Sequence, residues 1–304
     1  MQGLSRHNRW AAEPTTPSLT SLQDPREARQ LLALEPGFPD VLRRIRPPVA
    51  TLWVRGRLPE VARPSLAVVG ARAASRPGCV RAQEMAAMAS RHGYTIVSGG
   101  ALGIDAAAHR GALAAGGPTF AVLGCGVDVV YPDRHAALFD EIAARGGLLS
   151  EFPLGTPPRR RQFPSRNRIV AGLAEAVLVV EAQQASGALV TARLALAMGR
   201  RLLAVPGSPG TDRLVAAGQA RAVRDGDELM AALRGEAPVA VSAPPEFRRV
   251  LAALAGGATA AELGRRLGVS VPAALALLSE AELGGWILRG AGGVFTSIEV
   301  TRAN

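Results

Sequence analysis

Short apolar runs alternate with helix-like patterns through the middle of the chain. Six runs have the length of a strand and are apolar nearly throughout, which is typical of strands covered on both faces. They span residues 66–69, 95–98, 119–123, 148–150, 177–180 and 202–205. Helical spacing fills intervals at residues 80–92, 104–115, 134–145 and 189–198, and returns at 212–220 and 226–233. The alternation predicts an α/β fold with a doubly wound, mostly parallel sheet.

The two ends of the chain have different patterns. Residues 1–20 are polar and rich in proline, and we expect them to be flexible. Spacing over residues 21–34 predicts a helix, residues 40–45 one more helical turn, and residues 51–56 a strand that leads into the sheet. Residues 21–60 are therefore interpreted as a small helical region with a strand after it.

A separate module is predicted at the C-terminal end, after a proline-rich linker over residues 235–245. Helices are expected at 246–254, 260–267 and 271–282, followed by a small hairpin, which together describe a winged helix over 246–304. The candidate recognition helix, 271–282, contains no basic residue. Duplex reading normally uses arginine or lysine contacts to phosphate, so this helix favours docking to a protein.

Glycines follow most of the predicted strands, which places small residues where a parallel sheet binds ligands. Such loops let backbone N–H groups approach a phosphate, and helix N-termini add positive potential. Each loop alone is better explained as a tight turn. The loops that share one edge are Gly70-Ala71-Arg72, Ser98-Gly99-Gly100, Gly124-Cys125-Gly126, Ser186-Gly187 and Pro206-Gly207. Together, and with Arg72 among them, they favour a phosphate-binding edge.

One further stretch combines an aromatic residue with guanidinium groups at the start of a helix. It runs Phe163-Pro164-Ser165-Arg166-Asn167-Arg168 and follows the basic approach Arg159-Arg160-Arg161. An aromatic face can stack on a nucleobase while arginine holds phosphate oxygens. The alternative is that the phenylalanine belongs to the core and the arginines are solvated.

Composition indicates a globular protein with an anionic partner. Hydrophobic residues make up 48% of the 304 positions, and 35 arginines with no lysine give a net charge of +10. Nucleic acid is the simplest partner for this charge, and no lipid-facing amphipathic helix supports a membrane surface instead. We expect a cytoplasmic protein, since no signal peptide or membrane span is evident. The two cysteines, Cys79 and Cys125, predict buried free thiols.

Candidate catalytic groups are few. Asp105 and His109 would share a helix face, but no third metal ligand is evident, so we predict no metal site. Glu181 is the one carboxylate that we would test for catalysis; the alternative is that it braces loop N–H groups or Arg166. The glycine loops lack the dinucleotide fingerprint, and we expect no cofactor.

These motifs resemble the bacterial DNA-processing protein A family over residues 65–220. The matching segments are residues 69–72, 98–105 with His109, 124–126 with Tyr131 and Pro132, 150–151, 163–168, 180–182, 186–192 and 205–207. The resemblance implies an extended Rossmann-like fold over 61–234, and makes residues 21–60 similar to a shortened sterile-alpha-motif-like region.

The resemblance also implies a function and a set of site residues. Members bind single-stranded DNA during natural transformation, protect the incoming strands, and help the RecA recombinase to displace single-strand-binding protein and load. They typically form homodimers and have no established catalytic activity. By position, the DNA-binding residues would be Arg72, Gly99, Gly100, Arg160, Phe163, Arg166, Asn167, Ser186 and Gly187.

Two other functions stay open. A nucleotide-processing enzyme of the lysine-decarboxylase-like phosphoribohydrolase type would share the sheet and use Glu181 or Asp105, although its glycine-rich motif is absent. A transcriptional regulator would act through the winged helix, but the recognition helix has no basic residue, which argues against this function.

Overall fold

A computed structural model describes residues 27–60, 63–236, 245–283, 287–289 and 291–297. Its large sheet contains β1 (Ala28–Leu32), β2 (Thr51–Gly56), β3 (Ser65–Val69), β4 (Thr95–Ser98), β5 (Thr119–Val122), β6 (Gly147–Ser150), β7 (Ala176–Val179), β8 (Arg201–Ala204) and β9 (Arg221–Ala222). In the described residues the strand order is β1-β2-β6-β5-β4-β3-β7-β8-β9. The seven strands from β6 to β9 in this order run parallel. The predicted α/β class and doubly wound sheet are confirmed.

Helices cover both faces of the sheet. They are α1 (Asp40–Arg44), α2 (Arg76–Arg91), α3 (Ile104–Ala114), α4 (Ala136–Arg145), α5 (Gln162–Leu173), α6 (Gly187–Ala197), α7 (Pro209–Ala216) and α8 (Gly226–Leu233). One face packs on α2, α3, α4 and α8, and the other on α1, α5, α6 and α7. Successive residues of β3 point to opposite faces, yet all five are buried. Burial on both faces explains why the strands are continuous apolar runs.

The region before the main sheet differs from its prediction. Residues 28–32 form strand β1, so the helix predicted over 21–34 is wrong there. The strand pairs antiparallel with β2, and β2 pairs antiparallel with β6. Leu31 then packs against the core as part of a sheet edge. The helical turn predicted at 40–45 is confirmed as α1.

Several predictions lie outside the described residues. These are the flexible segment 1–20 and most of the linker, residues 237–244.

Of the two free cysteines, Cys125 is buried as predicted, whereas Cys79 is only partly buried.

The C-terminal module has the arrangement of helices and strands expected of a winged helix. It contains α9 (Pro245–Ala253), β10 (Ala258–Thr259), α10 (Ala260–Leu267), α11 (Val271–Leu283), β11 (Ile287–Arg289) and β12 (Val294–Ser297). Thr259 caps α10, because its hydroxyl accepts from the Glu262 N–H while the Glu262 carboxylate accepts from Thr259. On α11, Val271 and Leu275 are exposed, and docking of this helix to a protein stays a prediction.

Candidate nucleic-acid interface

A cavity of about 700 Å³ opens at the carboxyl ends of β3 and β7. These strands are neighbours in the sheet, and the chain proceeds from them toward opposite edges. Open α/β sheets bind their ligands at such a switch point. Eight of the nine predicted site residues line the cavity: Arg72, Gly99, Arg160, Phe163, Arg166, Asn167, Ser186 and Gly187. The ninth, Gly100, lines a smaller adjoining cavity of about 60 Å³.

Phe163 lies half-buried at the start of α5, with its ring against the loop that follows β5. A Cβ atom on Gly124 would approach within 2.9 Å of the Phe163 ring, so only glycine leaves room for the ring there. The guanidinium carbon of Arg72 lies 4.8 Å from the ring centroid, which is a cation–π contact. The aromatic side chain is thus placed at the cavity rather than in the core.

A second aromatic side chain belongs to this site, and the sequence predicted no role for it. The ring of Tyr131 lies 5.6 Å from that of Phe163, centroid to centroid, with a tilt of 37°. Tyr131 is 42% exposed and lines both cavities. Its neighbour Pro132 and the glycines before it were a visible motif, but only the fold brings this loop beside α5.

Arg166 differs from its predicted role of holding phosphate at the surface. Its side chain is 3% exposed, and its Nη1 atom donates hydrogen bonds to the carbonyl oxygens of Gly99 and Val122. Burial lowers the pKa of Arg166 to about 10; the nearby Asp105 carboxylate opposes this effect and Arg72 adds to it. The guanidinium therefore lies beneath the cavity and holds the ends of β4 and β5.

Asp105 is the buried counterpart of this arginine. A Cβ on Gly99 would lie 2.5 Å from the Asp105 carboxylate and 2.6 Å from two Arg166 nitrogens, so the glycine gives both groups their space. Burial raises the pKa of Asp105, while Arg166 and an N–H of Ala101 lower it. The carboxylate braces the loop that follows β4. His109 points elsewhere, with its Nδ1 atom 2.7 Å from the Thr119 hydroxyl.

Glu181 is also engaged within the protein. Its carboxylate accepts hydrogen bonds from the backbone N–H of Ser75, at 3.1 Å, and from the Ser75 hydroxyl, at 2.7 Å. Ser75 in turn caps α2 by accepting from the N–H of Gly78. The brace, rather than a free catalytic carboxylate, is the interpretation that this geometry supports.

The N-terminus of α6, an eleven-residue helix, forms part of the cavity wall. The Ser186 hydroxyl accepts from the N–H of Ala188. No atom would lie within 4 Å of a Cβ placed on Gly187, which leaves the backbone open to a ligand. Asn167 approaches this turn with its amide nitrogen 3.4 Å from the Gly187 carbonyl oxygen. A helix N-terminus with open backbone attracts an anion.

Arg160 supplies exposed positive charge at the mouth of the cavity, beside Arg159 and Arg161, which are also exposed. In the described part of the chain there is no helix long and apolar enough to cross a membrane, and no group of three or more histidine, cysteine, aspartate or glutamate side chains arranged to hold a metal.

Comparisons with known proteins identify the two parts of the chain. A family model described as DNA recombination-mediator protein A matches residues 29–234, and a model of the DprA winged helix domain matches residues 234–293. Protein Smf of Escherichia coli is 39% identical over 263 residues, which cover 80% of this chain and 70% of that protein. Protein Smf of Synechocystis is 43% identical over 179 residues, which cover 58% of this chain and 45% of that protein. The match thus spans about half the length of the latter relative.

Solved structures show the same fold. DNA processing protein A of Streptococcus pneumoniae is 38% identical with a TM-score of 0.63, over 67% of this chain and 73% of that one. DNA processing protein A of Helicobacter pylori, whose structure is described in terms of a single-stranded DNA binding mode, is 28% identical with a TM-score of 0.63, over 69% and 97%. The predicted family, extended Rossmann-like fold and winged-helix tail are confirmed, and the chain belongs to the DNA recombination-mediator protein A family.

Proposed function

We propose that the chain binds single-stranded DNA in the 700 Å³ cavity and serves as a recombination mediator of natural transformation. The observation that carries the proposal is the convergence of Phe163, Tyr131, Arg72 and Arg160 with the N-terminus of α6 on one cavity. Aromatic rings offer a stacking surface to any base, while arginines and backbone N–H groups hold phosphates. An unpaired strand offers the faces of its bases and its phosphates at once, whereas a duplex keeps its bases stacked on one another.

Charge supports the same ligand. The chain carries a net charge of +10, and Arg72 and Arg160 are exposed at the cavity. The acidic group within reach, Asp105, is buried beside Arg166, and burial raises its pKa. The field that a phosphate meets at the cavity mouth is therefore positive.

The roles beyond DNA binding rest on the family and are part of the proposal. The chain would protect incoming strands and help RecA to displace single-strand-binding protein and load. It would act as a cytoplasmic homodimer. Relatives named DNA processing protein or Smf, and the Helicobacter pylori protein described by its single-stranded DNA binding mode, support this assignment. We propose that no bond is made or broken: the carboxylates that a phosphoribohydrolase would use, Glu181 and Asp105, are both held by internal hydrogen bonds.

Two measurements test the proposal. In fluorescence anisotropy titrations, oligo-dT should bind more tightly than a duplex of equal length, and its affinity should fall as salt rises. In a strand-exchange reaction on DNA coated with single-strand-binding protein, addition of the chain should shorten the lag before RecA acts. Equal affinity for duplex and single strand, or release of free base from nucleoside monophosphates, would contradict the proposal.

A further inference from the structure

We propose that Arg72 occupies the stacking position on Phe163 in the free protein and leaves it for a phosphate when a nucleobase takes that position. The inference rests on the proposed function and specifies how the same site recognises its ligand. It makes Arg72 a specificity-determining residue, because the exchange needs a ligand that carries both a base and a phosphate.

The first observation is that three groups of the protein lie against the half-buried Phe163 ring. The Arg72 guanidinium carbon lies 4.8 Å from the ring centroid, above the ring. Gly124 lies against the ring closely enough that a Cβ there would be 2.9 Å from a ring carbon. The ring of Tyr131 lies 5.6 Å away, centroid to centroid. A base that stacks on the face covered by Arg72 must therefore displace the guanidinium, since Gly124 belongs to a buried loop.

The second observation is that few contacts hold the exposed Arg72 side chain. It is exposed, and within the described residues it makes no side-chain hydrogen bond or ion pair besides its contact with the ring. Cation–π contacts at exposed sites are weaker than base–aromatic stacking and than charge-assisted hydrogen bonds to phosphate. Replacing the cation–π contact by a stacked base and by hydrogen bonds from Arg72 to a phosphate therefore favours the bound state.

The third observation is that the backbone around Arg72 is anchored. The Ala71 N–H donates to the Glu181 carbonyl oxygen at 2.8 Å, and the Ile104 N–H donates to the Ala71 carbonyl oxygen at 3.2 Å. Gly103 has a φ of +76°, and a Cβ there would lie 2.6 Å from the Arg72 carbonyl oxygen. The loop is fixed while the guanidinium is not, so the exchange is a side-chain rotation.

This arrangement selects between classes of ligand. A polyanion without bases can attract the guanidinium, but it leaves the Phe163 ring facing water. An aromatic ligand without a phosphate displaces the guanidinium into solvent and offers it no new partner. An unpaired nucleotide supplies both replacements, so we expect Arg72 to favour single-stranded nucleic acid over other polyanions.

The exchange is tested with oligo-dT that carries a single 2-aminopurine, whose fluorescence falls when it stacks on an aromatic ring. Four proteins are compared: wild type, Arg72→Ala, Phe163→Leu, and Arg91→Ala as a matched control. Arg91 is also exposed, at the far end of α2, and its replacement removes the same charge. Quenching and the dependence of affinity on salt are measured for each protein.

The exchange predicts that Arg72→Ala still quenches 2-aminopurine, because the ring is then open from the start. The same variant should bind less tightly, and the slope of log affinity against log salt should become shallower by about 0.7 more than in Arg91→Ala, because one phosphate contact is lost. Phe163→Leu should lose the quenching. Loss of quenching in Arg72→Ala would overturn the exchange, since the base would then stack on the guanidinium itself.

The outcome also separates this inference from the proposed function. If Phe163→Leu and Arg72→Ala both bind and quench as wild type does, the cavity is not the binding site and the proposed function at this site fails. If Phe163→Leu alone loses quenching while Arg72→Ala keeps the wild-type salt slope, the site stands and the exchange is overturned.

Discussion

The buried guanidinium of Arg166 donates a 2.5 Å hydrogen bond to the carbonyl oxygen of Gly99, on the loop that follows β4. The same guanidinium donates to the carbonyl oxygen of Val122 at the end of β5. One side chain of α5 therefore holds two neighbouring strand ends at the floor of the cavity. The loop that faces the ligand is fixed from below before any ligand arrives, which limits the conformational entropy lost on binding.

Replacing Arg166 should reduce stability. Arg166→Met leaves the carbonyl oxygens of Gly99 and Val122 without their donor, and each buried acceptor left unsatisfied typically costs about 1–3 kcal/mol. Urea denaturation should show a loss of this order, while Arg161→Met, which removes an exposed neighbouring charge, should change stability by less than about 0.5 kcal/mol. Equal stability of the two variants would show that the buried contacts do not hold the loop.

Replacing Phe163 should weaken binding of single strands. Stacking is worth about 1–3 kcal/mol per base, so Phe163→Leu should lower affinity for oligo-dT roughly 5- to 150-fold. Anisotropy titrations at one fixed salt concentration measure the change. Phe152→Leu is a matched control, because Phe152 is also half-buried but does not line the cavity. Equal losses in the two variants would point to a general effect on the fold.

Gly124 offers an indirect test of the same ring. A methyl group at this position would collide with Phe163, at 2.9 Å from a ring carbon, and would push the ring from its place. Gly124→Ala should therefore weaken oligo-dT binding although residue 124 offers no side chain to DNA. Gly187→Ala, where a Cβ meets no atom of the protein within 4 Å, should keep the ring in place and shows whether the ligand itself needs that space.

Tyr131 should contribute to binding as a second aromatic group. Its ring is partly exposed beside Phe163, so Tyr131→Ala should lower affinity for oligo-dT by about 1 kcal/mol, roughly 5-fold. Tyr131→Phe should bind as the wild type does, because stacking needs the ring and not the hydroxyl. A loss in Tyr131→Phe equal to that in Tyr131→Ala would show that the hydroxyl group is what matters.

Two buried groups should make stability depend on pH with opposite signs. Burial, with smaller effects of His135, Arg166 and Arg110, lowers the pKa of His109 from 6.5 to about 3. The unfolded chain therefore binds a proton that the folded chain does not, and stability should fall by up to about 1.4 kcal/mol per unit as pH drops from 6.5 toward 3.

The raised pKa of Asp105 acts the other way, because the folded chain keeps a proton that the unfolded chain loses above 3.8. Its contribution is fully present below pH 3.8 and is lost as pH rises through the folded pKa. Because His109→Asn removes the buried imidazole, the free energy of unfolding of this variant, measured at several pH values, should fall less steeply in acid than that of the wild type. An unchanged pH slope in this variant would show that His109 is not the buried neutral group described.

Much of the fold could be predicted because burial on both faces leaves a direct trace in the sequence. The strand β7 is apolar throughout, β3 and β4 have polar residues only at their ends, and the helix at 226–233 was placed at its observed bounds. Residues 28–32 were assigned to a helix because their few apolar positions fit either period. These residues form a strand because they pair with β2, and this partner lies some twenty residues further along the chain.

The sequence predicted which residues lie at the site, but not which of them are buried beneath its surface. The glycine loops after β3, β4 and β7 line the cavity together with the stretch at 163–168, since parallel strands end at one edge. Gly124 lines the smaller adjoining cavity, and the loop Pro206-Gly207 lines neither. The burial of Arg166 depends on the rotation of α5, because Arg166 shares a helix face with Ile169 and Val170, which are both buried. Tyr131 was missed because no pattern within its loop indicates that the loop will lie beside Phe163.

The most direct test of the account is photocrosslinking to oligo-dT that contains 5-iodo-deoxyuridine, which joins a base to the aromatic side chain that it contacts. After digestion, mass spectrometry should place the crosslink on Phe163 or Tyr131, and oligo-dT without iodine should compete it away. Crosslinks found only on the winged-helix segment 245–297, with none at the cavity, would contradict the account.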